Sequence, residues 1–595
     1  MKRTIGRVAL LLVISMLIGL VAGCDKPTTT ATTAATTKSG ATTAAGTTAA
    51  TTAAANLNAP GQLPVVKSKE TIRIVISQSP YILSYAYGEN KFTTWLQDRT
   101  GVAVDFILYP EADATTKLNL ELSTKGDLGD MINIQMDRAM LVTYGGQGVL
   151  APLNDMIKTY GFKMKEMMDA FPGSYEAVTA PDGNIYALPQ GSLVGIFPNS
   201  YAERFWIQSS FLAKYGKGMP TTTDQMYDFM KWAKTSDPNG NGKTDEVGWT
   251  GAEKVAVWYA RPTEFLMNAF TLQSYQANMD GYYQKDDVIH FAPVETGYRD
   301  GLKFLAKLMK EGLMDTNYVN NDEATMKTLV ALNGGDTVAT ISCGGMHNAA
   351  STNDIKNKYE IVPPLKGPTG LVNSFYDHYA AGVIPSKATI PMKSTKKEVV
   401  MAWMDSNYDQ EVAFRGRYGE KGVDWETPAA GTVAVDGGPA MYKDIKSQWN
   451  VQTKSHWFTS SPANWGRYGS MTAAPLPALG ADGKKNYDLE DVLYKAARLY
   501  EKTVIPCAVP NFFFDQATAT KANTWKIAIN DLSRNAITEF IFGTRDINND
   551  TVWADYIAQV NKAGLTDFLK VMQSAYDADW KGTLPKTYTV KPQRT

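Results

Sequence analysis

A short polar run, DPNGNGKTDE at positions 237–246, has the spacing of a calcium-binding loop. Hard cations need several oxygen ligands on a tightly turning chain: side-chain oxygens at loop positions 1, 3, 5 and 9, a main-chain carbonyl at 7 and glycine at 6. The glutamate found at position 12 of an EF-hand is absent, because residue 248 is glycine, but the glutamate at position 10 can close the shell. The predicted Ca²⁺ ligands are Asp237, Asn239, Asn241, Lys243 (main-chain carbonyl), Asp245 and Glu246.

This loop is expected to be structural, because a coordinatively saturated ion has no open position for chemistry. The alternative is a metal-free turn rich in Gly and Asn and held by side-chain to main-chain hydrogen bonds.

Local signatures of catalysis are absent from the sequence. There is no G-x-S-x-G and no H-E-x-x-H, and the four histidines, at positions 290, 347, 378 and 456, are far apart. We expect each histidine to be a lone polar residue. Composition alone leaves the paired carboxylates of a glycoside hydrolase open, because Asp and Glu are numerous.

The first residues predict export. Lys2, Arg3 and Arg7 precede an apolar run at 8–21 that is short for a membrane span, and Val-Ala-Gly-Cys at 21–24 closes it. The ending resembles a bacterial lipobox, which implies a signal peptide at 1–23 and a lipid on Cys24. The alternative is an ordinary signal peptide with an incidental cysteine.

Residues 24–64 are mostly Thr and Ala, so they bury too little apolar surface to fold and predict a flexible tether. From residue 65 the composition is globular, and the length exceeds what one core supports, so at least two lobes are expected. A formal net charge of −1 without a basic cluster argues against nucleic-acid binding. Cys343 and Cys507 allow one disulfide, but two buried free thiols are the simpler expectation.

The hydrophobic pattern alternates strands with helices at the start of the body. Strand-like runs at 70–77 and 102–108 flank a helical pattern at 91–100, which predicts a parallel sheet covered by helices. The C-terminal third is mainly helical. The later helical patterns cover 298–310, 396–408, 489–502, 521–542 and 552–577.

The order of several segments resembles the extracellular solute-binding proteins of oligosaccharide ABC importers, especially long lipoproteins linked to uronate-containing saccharides such as aldouronate and alginate fragments. The resemblance covers nearly the whole mature chain. The segments are 126–132 (GDLGDMI), 148–154 (GVLAPLN), 182–189 (DGNIYALP), 220–224 (PTTTD), 237–246, 298–315 (ending EGLMD), 359–368 (YEIVPPLKGP) and 418–425 (YGEKGVDW).

The resemblance implies an α/β fold of the periplasmic-binding-protein type, with two lobes, a hinge, an interlobe cleft and a helical C-terminal part. We expect lobe 1 to contain residues 65–185 plus about 335–395, and lobe 2 to contain about 190–330 plus 400–595.

Ligand contacts in such a cleft should come from aromatic rings, which pack on the apolar faces of sugars, and from polar side chains that bind hydroxyls. For any single Trp, a core position is an equal alternative. Arg415, Arg417 and Arg467 could pair with a uronate carboxylate or be structural. The candidates are Trp249, Trp258, Tyr376, His378, Glu420, Trp425, Trp465 and Arg467.

The resemblance thus implies a lipid-anchored binding protein, a monomer on the outer face of the cell membrane, that passes oligosaccharide to ABC permease subunits. It is not expected to be an enzyme. The alternative is a cell-surface glycoside hydrolase.

Overall fold

A computed structural model describes residues 54–590 except 171–172, 192–198, 254–256, 275–280, 380–382, 447–450, 464–472 and 481. The predicted signal peptide, Cys24 and most of the predicted tether lie outside these residues, as do Trp465 and Arg467. Among the described residues, no helix has both the length and the apolar character needed to cross a membrane.

The strands form two main sheets and two short hairpins. They are β1 Glu70–Gln78, β2 Val102–Pro110, β3 Met131–Asn133, β4 Ala187–Gly191, β5 Phe205–Gln208, β6 Val247–Thr250, β7 Tyr282–Lys285, β8 Val288–Phe291, β9 Val338–Ser342, β10 Tyr359–Ile361, β11 Val383–Thr389, β12 Trp425–Glu426 and β13 Lys443–Asp444.

The helices cover both sheets and dominate the C-terminal part. They are α1 Lys91–Thr100, α2 Ala114–Thr124, α3 Arg138–Gly146, α4 Asn154–Tyr160, α5 Phe162–Asp169, α6 Ser174–Val178, α7 Ser209–Tyr215, α8 Thr223–Thr235, α9 Thr296–Lys310, α10 Glu323–Val330, α11 Asn353–Lys356, α12 Lys397–Asn407, α13 Gln410–Tyr418, α14 Leu489–Tyr500, α15 Gln516–Phe542, α16 Asp550–Lys562 and α17 Leu565–Asp579.

The first sheet has the strand order β2-β1-β3-β11-β4. Strand β1 pairs in parallel with β2 and β3, as the alternation of strands and helices predicted, while β11 runs antiparallel to β3 and β4. Side chains alternate across the sheet: Ile74 and Ile76 enter the core shared with α1 and α12, and Val75 enters the core on the opposite face with α2 and α3. Helices therefore cover both faces. We call this sheet and its helices the first lobe.

The second sheet has the order β10-β5-β9-β6, in which β6 and β9 are parallel and β5 is antiparallel to its neighbours. Phe205 and Ile207 enter a large core with α8, α9 and the C-terminal helices, while Trp206 enters a smaller core with α10. We call this part the second lobe. Cys343 and Cys507 are buried free thiols within it, as expected.

The sheets divide the chain differently from the boundaries expected for the lobes. Strands β9 and β10 lie in the second sheet, although residues 335–395 were placed in lobe 1, and α12 packs on the first sheet, although residues from 400 were placed in lobe 2. Short local patterns do not specify which distant strand is the pairing partner, so sequence periodicity could not assign these segments.

The end of the predicted tether is folded. Leu57 is 7% exposed and forms a β-bridge to Val66, and the main-chain N–H of Asn58 donates to the Val65 carbonyl at 3.0 Å. Leu57 and Val65 both enter the first-lobe core, which gives this segment an apolar anchor that the Thr/Ala run lacks. The folded body therefore begins before residue 65.

The predicted helix at 552–577 is two helices. Gly564 has φ +109° between α16 and α17, a conformation that other residues rarely adopt, and it ends the first helix. Helix α15 begins at Gln516, earlier than predicted, because Asp515 caps it by accepting the N–H groups of Ala517 and Thr518.

Candidate functional site

A cleft between the two lobes brings together residues that follow the strands. Tyr81 and Glu111 follow β1 and β2 on the first-lobe side, and His347 follows β9 on the second-lobe side. The Tyr81 hydroxyl donates to Glu323 Oε2 at 3.0 Å, so the lobes touch here. Loops at the carboxyl ends of parallel strands are the usual location of ligands in α/β folds.

The second-lobe wall is a stack of polar and aromatic groups. Arg204 is fully buried, its Nη1 donates to the Gly344 carbonyl at 2.6 Å, and its guanidinium lies 5.7 Å from the centre of the Trp258 ring. The Trp258 ring centre is 6.0 Å from that of His347. A Cβ on Gly344 would lie 2.3 Å from the Trp258 ring, so only glycine allows this approach.

The first-lobe wall contains Arg417, near the end of α13, whose guanidinium lies 4.8 Å from the centre of the Phe458 ring. Phe458 in turn contacts Tyr81 edge-to-face at 6.1 Å. Lys387 donates to the Thr459 carbonyl at 3.0 Å, and burial, followed by the charge of Arg417, lowers the pKa of Lys387 to about 8. This wall therefore brings two cationic side chains near each other, and one of them, Arg417, lies against an aromatic ring.

Burial, helped by nearby positive charges, keeps the imidazole of His347 neutral. Burial lowers its pKa to about 3, and the charges of Lys356, Lys327, Arg204 and Arg417 act in the same direction. Arg417 belongs to the first lobe and the other three to the second, so both walls act on the same imidazole. A neutral imidazole both donates and accepts hydrogen bonds, as a ligand rich in hydroxyl groups requires.

Of the predicted ligand contacts, Trp258 lies in this cleft with its ring partly exposed. Trp249 is fully buried in the second-lobe core, where its Nε1 donates to Ser342 Oγ at 2.8 Å. Trp425 is 2% exposed and packs edge-to-face on Phe414 at 5.4 Å, and its Nε1 donates to the Gly419 carbonyl at 2.9 Å. Protein encloses both of these rings.

Glu420, Tyr376 and His378 lie elsewhere. Glu420 lies in the loop after α13, and its main-chain N–H donates to Asp424 at 2.8 Å. Tyr376 and His378 lie on the segment that returns from β10 to β11 and pack against Tyr588 at 5.0 and 5.8 Å. Burial lowers the pKa of His378 to about 4.

The predicted metal loop connects α8 to β6. The Asp237 carboxylate accepts the N–H groups of Gly240, Asn241 and Gly242 at 3.0, 3.1 and 2.8 Å. Gly240 and Gly242 have φ +74° and +76°, which the tight winding requires. Asp245 lies 3.2 Å from the amide nitrogens of both Asn239 and Asn241. The side chains thus converge on the interior of the loop.

Glu246 is the unusual member of this loop. It is fully buried, its Oε2 has no hydrogen-bond partner among the described residues, and burial raises the pKa of its carboxyl group. A cation bound inside the loop would satisfy that oxygen, so these residues fit calcium. Within the described part of the chain, no three His, Cys, Asp or Glu side chains are grouped closely enough to hold a metal ion, and this includes the three carboxylates of the loop. The amide oxygens of Asn239 and Asn241 accept main-chain N–H groups at 2.9 and 2.8 Å.

Comparison with known proteins identifies the family. The sequence model of the bacterial extracellular solute-binding protein family matches residues 91–407, which is more than half of the chain. The chain belongs to this family.

The relatives of this solute-binding protein include transporter components. It is 25% identical over 525 residues to the fructooligosaccharide ABC transporter substrate-binding protein FusA of Streptococcus pneumoniae, covering 86% of this chain and 91% of FusA. It is also 25% identical over 370 residues to the lipoprotein LipO of Bacillus subtilis, covering 60% of this chain and 68% of LipO.

Solved structures confirm the expected two-lobe fold of the periplasmic-binding-protein type. FusA in complex with kestose gives a TM-score of 0.70 at 23% identity, covering 85% of this chain and 99% of that one; a FusA EF-hand mutant in complex with fructo-nystose gives the same values. Alginate-binding protein AlgQ2 without calcium ion gives 0.62 at 18% identity, covering 86% and 99%.

Sequence reasoning missed Tyr81, Arg204 and Glu323 in the cleft of this solute-binding protein. Tyr81 had one usable signal, its position just after a predicted parallel strand. Arg204 and Glu323 had none, because their neighbours in the cleft are far away in sequence: Arg204 contacts Gly344, and Glu323 contacts Tyr81.

A separate cavity of about 310 Å³ lies at the amino ends of β1 and β3. Its lining includes Arg73, Asp127 and Lys393, and Arg73 forms two hydrogen bonds with Asp127 at 2.8 and 2.7 Å. The cleft lies at the carboxyl ends of these strands, so the two sites are at opposite ends of the first sheet.

Proposed function

We propose that this solute-binding protein captures an oligosaccharide in the interlobe cleft and delivers it, unchanged, to the permease of an ABC importer. The observation that carries the proposal is the approach of the two walls: Arg417, beside Phe458 in the first lobe, is close enough for its charge to act on His347, beside Trp258 in the second. The Tyr81–Glu323 hydrogen bond closes the gap next to them. Family membership and the oligosaccharide ligands named for its relatives support it.

The chemistry of the walls suits a sugar. Aromatic rings offer faces and edges for the apolar C–H groups of a pyranose or furanose, and Arg417 and the neutral His347 can hydrogen-bond hydroxyls. Arg204 is fully buried and orients Trp258. Sugar that contacts both walls binds the closed arrangement better than the open one. That difference in affinity is what shifts the lobes toward closure, and it gives the permease a distinct loaded form to recognise.

The test is calorimetric titration of the purified full-length protein with two ligand series: fructooligosaccharides such as kestose, and oligouronates. The products are then examined by chromatography after long incubation. Saturable binding of one series without new reducing ends or shorter products supports the proposal. Cleavage of the sugar would contradict the proposal and would favour a glycoside hydrolase.

We also propose that Cys24 carries a lipid that holds the protein at the outer face of the cell membrane, with the Thr/Ala-rich segment as the tether. Two acyl chains suffice for stable anchoring, whereas one is marginal. In a bacterial host, the wild-type protein should fractionate with membranes and Cys24→Ser should not. Equal membrane association of the two proteins would contradict the anchor.

Calcium in the loop at 237–246 is the third part of the proposal, and it rests on the convergent oxygens and the buried oxygen of Glu246. Protein stripped with EDTA should bind about one Ca²⁺ on calorimetric titration, and Asp237→Ala should abolish binding. Asp546→Ala is the matched control, since Asp546 is an exposed turn residue that accepts one main-chain N–H. Equal Ca²⁺ binding by both variants would rule out the loop.

A further inference from the structure

A hydrogen bond joins a side chain of the first lobe to a side chain of the second across the cleft. Tyr81 belongs to the first lobe: it follows β1, and its ring contacts Phe458. Glu323 belongs to the second: it is the first residue of α10, which packs through Met326 and Val330 into a second-lobe core. The distance from the Tyr81 hydroxyl to Glu323 Oε2 is 3.0 Å. We call this contact the interlobe bond.

The interlobe bond is displaced from the edge of the first sheet at which the chain passes to the second lobe and back. The chain leaves the first sheet after β4 and re-enters it at β11, and these two strands are adjacent at one edge. Strand β1 is two positions from β11 and three from β4, which is about 10 to 15 Å at the usual strand spacing. A rotation of about 15° about that edge moves the end of β1 by about 4 Å, enough to break a hydrogen bond.

Glu323 is held in place to accept this bond. Lys327, one turn further along α10, forms an ion pair with Glu323 Oε1, and both side chains are less than one-fifth exposed. A carboxylate in the first turn of a helix is also favoured by the helix dipole. Burial, followed by the charge of Glu323, raises the pKa of Tyr81, so its hydroxyl keeps the proton that it donates. Hydrogen bonds to an ionised acceptor are among the stronger ones in proteins.

We propose that the interlobe bond between Tyr81 and Glu323 stabilises the closed arrangement of the lobes and thereby raises affinity for any ligand that closure encloses. Both residues act as positioning residues, through the open–closed equilibrium. The effect on ligand rests on the proposed function, whereas the effect on lobe position does not. Since the bond must break before the cleft opens, it slows dissociation of ligand more than it changes association.

The decisive variants are Tyr81→Phe, which removes only the hydroxyl, and Glu323→Gln. Tyr87→Phe is the matched control, because the Tyr87 hydroxyl also donates to a carboxylate at 3.0 Å, that of Asp98, but within the first lobe. A double variant at 81 and 323 should equal the stronger single one, since both remove the same bond.

Lobe position is measured first, without any sugar. The full-length chain with Cys24→Ser carries spin labels at Leu120→Cys in the first lobe and Leu332→Cys in the second; both sites are exposed, whereas Cys343 and Cys507 are buried. Pulsed electron spin resonance should show a longer mean distance for Tyr81→Phe and Glu323→Gln, and an unchanged distance for Tyr87→Phe. An unchanged distance in both cleft variants would overturn the proposal.

With a bound oligosaccharide identified, the dissociation rate should rise about tenfold in Tyr81→Phe for every sugar that binds, with little change in the association rate. If only one sugar dissociated faster from Tyr81→Phe and the lobe distances were unchanged, the result would show instead that Tyr81 contacts the ligand. Failure to find any sugar would remove the proposed function but would leave the distance measurement as a valid test of the interlobe bond.

Discussion

The guanidinium of Arg204 lies 5.7 Å from the centre of the Trp258 ring while its Nη1 donates to the Gly344 carbonyl at 2.6 Å. Arg204 is fully buried and directly precedes β5, and Gly344 follows β9, so the two central strands of the second sheet fix both ends of the contact. Trp258 is thereby oriented before any ligand arrives, which lowers the entropy cost of binding on its exposed part.

Replacing Trp258 by alanine should weaken oligosaccharide binding at least tenfold, about 1.4 kcal/mol, because the second-lobe wall loses its aromatic surface. Calorimetric titration measures the change. Trp232→Ala is the control: Trp232 lies on α8, outside the cleft, and packs on Tyr215 at 5.2 Å. That variant should lose stability but keep its affinity. Equal loss of affinity in both variants would show that Trp258 acts only through stability.

The structure confirms the parts of the fold that local signals specify. Helix α1 has the bounds predicted from sequence, since Asn90 caps its start by accepting the Thr93 N–H and Gly101 ends it in a left-handed conformation. Sheet membership was not predictable in the same way. Strand β9 pairs with β5 and β6, which lie more than 80 residues earlier in the chain. The sequence of β9 itself does not specify these pairing partners.

The two parts of the candidate site also differ in how far the sequence could predict them. The turn at 237–246 could be predicted, because its residues are consecutive and the structure shows Asp237 accepting three main-chain N–H groups there. Its calcium ligands stay a prediction from spacing. The cleft could be predicted only as a type of site with aromatic residues, since Tyr81 and Glu323 are 242 residues apart and meet only after both sheets form. Residue type alone does not distinguish a tryptophan of the cleft from one of the core: Trp249 was predicted to contact ligand together with Trp258, yet it is fully buried in the core.

Glu246→Gln should have opposite effects with and without calcium. In EDTA the variant should melt at the same or a higher temperature than wild type, because wild type buries a carboxylate oxygen that has no partner among the described residues. In excess Ca²⁺ the variant should melt lower, since a charged ligand has been lost. Thermal unfolding of both proteins under both conditions measures this. A shift of the same sign in EDTA and Ca²⁺ would contradict the assignment of Glu246 as a ligand.

His347 should make the protein less stable at acidic pH. Its folded-state pKa is about 3 and its ordinary value 6.5, so below pH 6.5 the unfolded chain takes up a proton that folded His347 refuses. The contribution of His347 to the free energy of unfolding is therefore fully present above pH 6.5. It falls toward pH 3 by up to about 1.4 kcal/mol per pH unit. Urea unfolding at pH 7, 5.5 and 4.5 should show a shallower loss for His347→Gln. An NMR titration of the His347 ring above pH 5 would contradict the prediction.

Asp405, in contrast to His347, should make the protein less stable as the pH rises. Burial raises its pKa to about 6 from an ordinary 3.8, although its carboxylate accepts the Met164 N–H at 2.9 Å in the first turn of α5. As pH rises through this window, the unfolded chain releases a proton that folded Asp405 retains, so its contribution is complete below pH 3.8 and is lost by about pH 6. Asp405→Asn keeps the acceptor oxygen without the charge.

The Asp405→Asn variant should therefore gain stability over wild type at pH 7.5, by up to about 3 kcal/mol, and differ little from it at pH 4. Urea unfolding at both pH values measures the difference. Asp409→Asn is the matched control, because Asp409 caps α13 and asparagine caps a helix as well as aspartate does. A variant that is less stable than wild type at pH 7.5 but not at pH 4 would mean that the start of α5 stabilises an ionised Asp405 more than burial penalises it.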